Sequence, residues 1–246
     1  MIWITRPALE KDDWLSLELI KLGKRVHHFP LLDVMFEAVD FSQLEQPEAL
    51  VVTSRNGVRG AVAAGLPAAW LTLPLFAVGR STGEFASQMG FQRVRVPPSE
   101  GGVSRLIDFI LQERAALTAQ RFLHVRGDQV AGDLKAGLGA AGLCVDEVLT
   151  YRMVERLGLD QITIDFLKDG GLQEVVLLSP RTAQVYGAIM QASGMVAEMG
   201  RMRHFCLSSA VAQKVAMYSL ANVQVAEAST LSSLVKLIGR FDSEKY

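Results

Sequence analysis

The sequence predicts an α/β protein with two parallel-sheet lobes, one inserted in the other, joined by a two-segment linker. Three observations lead to this prediction. Short β-type runs alternate with helical patterns along the whole chain, which is typical of parallel sheets covered by helices. Segments from the two halves of the chain resemble each other in the same order. The first two strands of one copy open the chain, whereas their counterparts end the other copy.

The alternation of strands and helices continues from the N-terminus to the C-terminus. Ten runs rich in β-branched and aromatic residues are predicted as strands. They are IWIT, RVHHF, ALVVT, LFAV, RVRV, RFLHV, CVDEVLT, EVVLL, HFCL and NVQVA. Helical periodicity fills most of the gaps, for example at Ala8–Leu22, Val103–Gln112 and Leu231–Arg240.

An internal repeat is visible when the two halves are compared. Phe76–Val96 aligns with Phe205–Val225 without a gap. Two further pairs keep the same order around it, namely Val51–Gly60 with Val176–Val185 before it, and Leu106–Ile110 with Leu234–Ile238 after it. Each match is short, but the shared order indicates two copies of one unit.

The first two strands place the copies in an unusual order. WITRP resembles HVRGD, with Arg6 over Arg126, and LGKRV resembles AGLCV. WITRP and LGKRV lie at the start of the chain, but their counterparts HVRGD and AGLCV follow the other three strands of the second copy. We therefore expect a circularly permuted lobe at residues 37–150, inserted into a discontinuous lobe of residues 1–34 plus 155–246.

Five strands in each copy suggest the flavodoxin-like order 2-1-3-4-5. The two linker segments are expected near residues 34–38 and 150–155. Parallel sheets of this kind bind ligands at the carboxyl ends of their strands, near the point where the strand order reverses. Equivalent strand ends of the two lobes are therefore expected to line one cleft.

Hydroxyl-bearing residues and arginines follow the strands at this edge. Ser54, Thr82 and Ser179 lie at helix starts, where they are typical N-caps. Free N–H groups at helix N-termini favour anions. Arg6 and Arg126 end the first strand of each copy. The sequence therefore predicts a site for a ligand with several carboxylates or phosphates, although capping alone would also explain the three hydroxyl residues.

Several function classes receive no support. The 25 basic and 26 acidic residues nearly balance and form no basic block, so no nucleic-acid or membrane-surface role is expected. The GxGxxG match at Gly137–Gly142 ends a helical pattern and precedes a strand, the reverse of a dinucleotide loop. No P-loop is present, and the four histidines lack metal-ligand spacing.

The location is predicted from the same sequence. The N-terminus turns polar after five residues, too few for a signal peptide, and the apolar runs stop well short of ~18 residues. Cys144 and Cys206 both lie in apolar runs and are expected to be buried, reduced thiols. These features favour a cytoplasmic protein.

Five motifs resemble those of the uroporphyrinogen-III synthase family, in the same order. They are ITRP, TSRNGV, FAVGRST, VRGD followed by GLCVDEVLTY, and LLSPRTA. The resemblance covers nearly the whole chain, and the inserted repeat is the fold of that family. It implies a cofactor-independent lyase without a metal, which closes linear hydroxymethylbilane to uroporphyrinogen III. Water is lost and ring D is inverted through a spiro intermediate. The resemblance also implies a monomer that receives its substrate from hydroxymethylbilane synthase.

The resemblance further implies roles for individual residues. Tyr151, just after the strand that leads to the second linker, is the candidate catalytic residue, because a phenol can donate a proton to the departing hydroxyl. A packed tyrosine at the linker is the alternative. The implied substrate contacts are Arg6, Ser54, Asn56, Ser81, Thr82, Arg126, Gly127, Ser179, Thr182 and Ser208. One loop departs from the family, since LSSAVA carries Ala210 and Val211 where a threonine is usual.

Two other functions remain open from the sequence. A non-catalytic bilobal protein that binds a polyanionic small molecule would share the fold and the cleft. A nucleotide-using transferase on a related fold would need a glycine-rich loop after a strand, which is absent.

Overall fold

The computed structural model describes residues 1–7, 13–99, 101–130 and 132–243. The chain divides into two compact units. The split unit comprises Met1–Asp33 with Val154–Tyr246, and the central unit comprises Val34–Met153.

The strands and helices follow the predicted alternation. The strands are β1 Ile2–Ile4, β2 Val26–His28, β3 Leu32–Phe36, β4 Ala49–Val52, β5 Pro74–Ala77, β6 Arg93–Arg95, β7 Arg121–Gly127, β8 Cys144–Glu155, β9 Glu174–Leu177, β10 Arg203–Cys206 and β11 Val223–Val225. The α-helices are α1 Trp14–Lys21, α2 Arg55–Ala63, α3 Arg80–Gln88, α4 Gly102–Leu117, α5 Leu134–Gly139, α6 Gln161–Lys168, α7 Pro180–Ala192, α8 Val196–Arg201, α9 Ser209–Gln213 and α10 Leu231–Ser243. All ten predicted runs contain a strand. Of the predicted helix Ala8–Leu22, residues 8–12 lie outside the described residues.

The split unit has a five-stranded sheet in the order β2-β1-β9-β10-β11. Every neighbouring pair is parallel. Its central strands are buried on both faces, which explains why they appear in the sequence as continuous apolar runs. Ile2 and Ile4 pack with α1 and α10 on one face through Leu15, Leu19 and Leu234. The predicted 2-1-3-4-5 order is confirmed, with β9, β10 and β11 as strands three to five.

The central unit repeats this order with one added strand. Its sheet runs β3-β8-β7-β4-β5-β6, so the last five strands again give 2-1-3-4-5. The pairs from β8 to β6 are parallel. Apolar clusters cover both faces of this sheet, one built around Trp70 and Phe91 and the other around Phe76 and Phe122.

Strand β3 was not predicted, since its residues were assigned to a linker. It pairs with the long strand β8, and the boundaries of both units fall within these two strands. The Glu37 N–H donates to the Thr150 carbonyl at 2.9 Å, and the Arg156 N–H donates to the Leu31 carbonyl at 3.0 Å. Four of the five residues of β3 are apolar (LDVMF), so the run was present in the sequence but was interpreted as a linker segment.

Other sequence predictions can be compared with the structure. Gly137–Gly142 lies at the end of α5 and before β8, as predicted. Cys206 is buried, but Cys144 is exposed at the start of β8, so the prediction of a buried thiol is wrong there. Within the described ranges, none of the helices has the length and apolar character needed to cross a bilayer.

Candidate active site

Tyr151 lies on β8 in the central unit and is 8% exposed. Its hydroxyl oxygen is 3.0 Å from the Oγ of Ser54. Ser54 follows β4 and is the N-cap of α2, where its Oγ accepts the Gly57 N–H at 3.0 Å. The tyrosine hydroxyl is therefore held at the start of a helix, on the edge where the sheet's parallel strands end.

A β-bulge sets the direction of the Tyr151 side chain. Arg126 is opposite Leu149 in the register, but Gly127 is opposite Tyr151, so β8 carries one extra residue, Thr150. Thr150 lies against Gly60 of α2, while Tyr151 reaches the N-cap of the same helix. Side chains normally alternate between the faces of a strand, and a bulge interrupts this alternation. Two successive side chains of β8 consequently contact one helix.

The other predicted contacts on α2 and α3 differ in accessibility. Asn56 is half-buried and accepts a hydrogen bond from Arg59 at 3.1 Å. The N-cap of α3 is Gly79, which makes no side-chain cap bond, so the prediction of Thr82 as an N-cap is wrong. Ser81 is exposed in the first turn of α3, whereas Thr82 is 8% exposed. Because no side chain caps α3, its first N–H groups are suited to an anion.

Arg126 is the penultimate residue of β7 and lies within a polar cluster. Its Nη1 donates to the Gly127 carbonyl at 3.0 Å, and its Nε lies 3.3 Å from Glu147. The same carboxylate is 3.1 Å from Nδ1 of His124. Burial lowers the pKa of His124, although Glu147 acts in the opposite direction. Glu147 therefore offsets part of the charge that Arg126 presents, which the sequence analysis missed.

In the split unit, Arg6 follows β1 and forms an ion pair with Asp13. Asp13 also caps α1 and accepts the Ser16 N–H at 3.0 Å. Burial alone would raise the pKa of Asp13, but its hydrogen bonds from Ser16 and the charge of Arg6 hold that pKa below its usual value. Asp13 was also absent from the candidate residues, since the predicted helix Ala8–Leu22 placed it inside a helix, whereas it is the N-cap of α1.

The remaining contacts lie on two other helices of the split unit. Ser179 caps α7 and accepts the Thr182 N–H at 3.1 Å. The hydroxyls of Ser179 and Thr182 are also 2.8 Å apart, and Thr182 is 6% exposed. Ser208 is the N-cap of α9 but makes no side-chain cap bond.

The structure thus brings Ser54, Gly127 and Tyr151 into direct proximity in the central unit, and Ser179 and Thr182 in the split unit. The others occupy the carboxyl edges of the two sheets, each within its own unit. Among the residues that the structure describes, no group of three or more His, Cys, Asp or Glu is placed to hold a metal ion.

A family model described as uroporphyrinogen-III synthase HemD matches residues 13–236. The chain belongs to the uroporphyrinogen-III synthase family. It is therefore a lyase of tetrapyrrole biosynthesis, the pathway that leads to haem, and its role is that of a cyclase. The resemblance inferred from the five motifs is confirmed by this match.

Solved structures of this family share the fold. The uroporphyrinogen-III synthetase of Helicobacter pylori aligns with a TM-score of 0.63, covering 98% of both chains at 11% identity. A mutant uroporphyrinogen III synthase of Thermus thermophilus aligns with a TM-score of 0.51, covering 99% of this chain and 100% of that chain at 15% identity. A sequence comparison with curated proteins finds no match.

Proposed function

We propose that the protein converts hydroxymethylbilane to uroporphyrinogen III, with loss of water and inversion of ring D. The family match over residues 13–236 carries this proposal. The buried phenol of Tyr151 supports it, because its hydroxyl is held at a sheet edge next to a helix start.

Tyr151 is the proposed proton donor. The C–O bond of the hydroxymethyl group breaks, the hydroxyl takes the phenol proton, and water leaves. The electron-rich pyrroles supply the electrons that stabilise the resulting cation. The substituted α-carbon of ring D attacks the cationic methylene and forms the spiro intermediate. The bond from that carbon to its original methylene bridge then breaks, and the bridge bonds to the free α-carbon of ring D, which closes the macrocycle with ring D inverted. The proton that the last pyrrole carbon releases on closure restores the phenol, so the step is balanced.

Binding of the eight substrate carboxylates is assigned to the sheet edges. The open N-terminus of α3, with Ser81 and Thr82, is the proposed main contact in the central unit, together with Asn56 and Arg126. In the split unit the proposed contacts are Arg6, Ser179, Thr182 and Ser208. Hydroxymethylbilane closes without inversion in solution, so the enzyme must favour one geometry over another. Many distributed contacts achieve this by positioning.

An isomer assay tests the reaction. Hydroxymethylbilane is generated in situ by hydroxymethylbilane synthase, the purified protein is added without cofactor, and the oxidised porphyrins are separated. We expect predominantly isomer III. Isomer I alone, from a folded sample, would contradict the proposal and favour a non-catalytic binding protein.

The assembly and the substrate supply are proposals of the same kind. We propose a monomer that takes its substrate from hydroxymethylbilane synthase. Light scattering of the purified protein should give a mass near 26.9 kDa. A mass twice as large would contradict the monomer.

A further inference from the structure

Gly127 has no side chain at the point where the Tyr151 ring lies. A Cβ added to Gly127 would be 2.7 Å from the tyrosine hydroxyl oxygen, 2.8 Å from Cε1 and closer still to Cζ. Real Cβ atoms essentially never approach another atom within 3.0 Å. The space that an alanine side chain would need is therefore already filled by the phenol.

The backbone gives no other reason for glycine here. Gly127 does not adopt a positive φ, unlike Gly23 or Gly142 elsewhere in the chain. Glycine is required at a position either by a left-handed conformation or by close approach of another group. The Tyr151 ring supplies that close approach.

Ser54 contacts the same hydroxyl end of the tyrosine. Its Oγ is fixed by the Gly57 N–H at 3.0 Å, and it contacts the Tyr151 hydroxyl at the same distance. Gly127 leaves the space that the hydroxyl end of the ring occupies, and Ser54 contacts the hydroxyl itself. A proton donor must be placed within hydrogen-bond reach of its acceptor, so both constraints bear on proton donation.

We infer that Gly127 and Ser54 are positioning residues, which act on the reaction through Tyr151 and not by contacting the substrate. This inference rests on the proposed function, and it changes the roles that the family resemblance implied for these two residues. Displacing a reacting group by about 1 Å can cost on the order of 10²-fold in rate.

The split unit offers a matched control. A Cβ on Gly187 would lie 2.8 Å from both Cζ and the hydroxyl oxygen of Tyr218, and closer still to Cε2. Gly187 is in the middle of α7 and belongs to none of the proposed contacts. Gly187→Ala therefore creates the same kind of glycine–tyrosine clash away from the proposed chemistry.

The test compares Gly127→Ala, Tyr151→Ala, their double variant and Gly187→Ala. For isomer III formation, Gly127→Ala should lower kcat about 10²-fold, with KM within about twofold of wild type. In the Tyr151→Ala background it should change kcat less than about twofold, because the group it displaces is gone. Gly187→Ala should leave kcat within about twofold while lowering the unfolding midpoint.

The unfolding midpoint in urea provides a readout that does not depend on activity. Gly127→Ala should lower the midpoint of the wild type but not that of Tyr151→Ala, where the space is open. If Gly127→Ala does not fold, Ser54→Gly replaces it, because glycine retains most of the capping preference without a hydroxyl. Ser54→Gly should lower kcat in the wild type and have no effect on kcat in Tyr151→Phe.

Two outcomes overturn the inference. One is an increase in KM at unchanged kcat, which would make Gly127 or Ser54 a substrate contact. The other is an equal loss of kcat in both backgrounds, which would make the effect independent of Tyr151. A wild type that yields only isomer I instead refutes the proposed function, and the midpoint comparison still reports whether Gly127 confines the tyrosine ring.

Discussion

Ser54 and Ser179 occupy equivalent places in the two sheets, but their hydroxyls have different partners. Each follows the third strand of the 2-1-3-4-5 order and caps the next helix. The Ser179 hydroxyl lies 2.8 Å from the Thr182 hydroxyl, within its own helix. The Ser54 hydroxyl instead contacts Tyr151, which is 97 residues away in the chain. The capping serine therefore contacts a residue of its own helix in the split unit, but a residue of a separate strand in the central unit.

The residue three positions after each serine accounts for this difference. It is Thr182 in α7 and Gly57 in α2, so only α7 carries a hydroxyl at this position. A Cβ on Gly57 would lie 3.1 Å from the Val125 carbonyl oxygen, a contact tighter than most. Glycine therefore brings α2 close to the sheet and leaves the serine hydroxyl to Tyr151. In α2, where position 57 supplies no hydroxyl, the capping serine instead contacts Tyr151 of β8.

The largest expected effect comes from removing the Tyr151 hydroxyl, which is the partner of Ser54 in the central unit. Tyr151→Phe keeps the ring against Gly127 but removes the proposed proton donor. Isomer III formation should fall about 10²-fold or more, equivalent to roughly 3 kcal/mol in the barrier. Tyr218→Phe in the split unit is the control and should stay within about twofold of wild type. Near-wild-type activity of Tyr151→Phe in a single-turnover assay would remove Tyr151 from the chemistry.

Acid should weaken the split unit through its buried histidine. His204 is fully buried, with Nε2 3.0 Å from the Tyr186 hydroxyl, and burial lowers its pKa to about 4. The unfolded chain binds this proton near pH 6.5 and the folded unit only near pH 4. The free energy of unfolding is therefore fully retained above pH 6.5 and should fall by about 3 kcal/mol as the pH drops to 4.

A non-titrating variant isolates this contribution. His204→Gln retains an acceptor for Tyr186, so its acid-dependent loss of unfolding free energy should be about 3 kcal/mol smaller, measured by urea titration at pH 7 and pH 4. An equal loss in both proteins would mean that His204 titrates normally. In the central unit, burial also lowers the pKa of His124, but Glu147 opposes that shift. At pH 4, the protection of backbone amides from hydrogen exchange should accordingly be lost first around β10.

Much of the fold could be predicted from the sequence because buried parallel strands appear as apolar runs. The strand order and the repeated capping serines followed from that pattern. Strand β3 was missed although its sequence LDVMF is mostly apolar, because that run was interpreted as a linker between the two lobes. The contact between Ser54 and Tyr151 also could not be predicted from the sequence. It depends on a bulge at Thr150, which shifts the register of one strand and has no local signature.

A second difference between α2 and α7 concerns how closely each can pack. Gly60 of α2 aligns with Val185 of α7, and a Cβ on Gly60 would lie 2.6 Å from the Thr150 carbonyl oxygen. Gly60→Ala should therefore destabilise the protein by about 2 kcal/mol, since α2 must move away from β8. Gly200→Ala, in α8, meets nothing within 4 Å and should be neutral or stabilising. Equal unfolding midpoints for the two variants would show that α2 can move away from β8 without loss of unfolding free energy.

The smallest effect tests the comparison most directly, by giving α2 the hydroxyl that α7 has. Gly57→Ser and Gly57→Ala add the same Cβ near the Val125 carbonyl, but only serine can donate to the Ser54 Oγ as Thr182 approaches Ser179. The two variants should lose similar unfolding free energy. Isomer III formation should be about tenfold slower in Gly57→Ser than in Gly57→Ala, because one competing hydrogen bond contributes about 1.4 kcal/mol.

The ratio of the Gly57→Ala rate to the Gly57→Ser rate is the decisive quantity, because both variants carry the same steric cost of the added Cβ. A ratio near one would mean that the hydroxyl at position 57 does not compete with Tyr151. The different partners of Ser54 and Ser179 would then follow from the bulge in β8 alone. A tenfold ratio that disappears in the Tyr151→Phe background would instead assign the difference to the glycine.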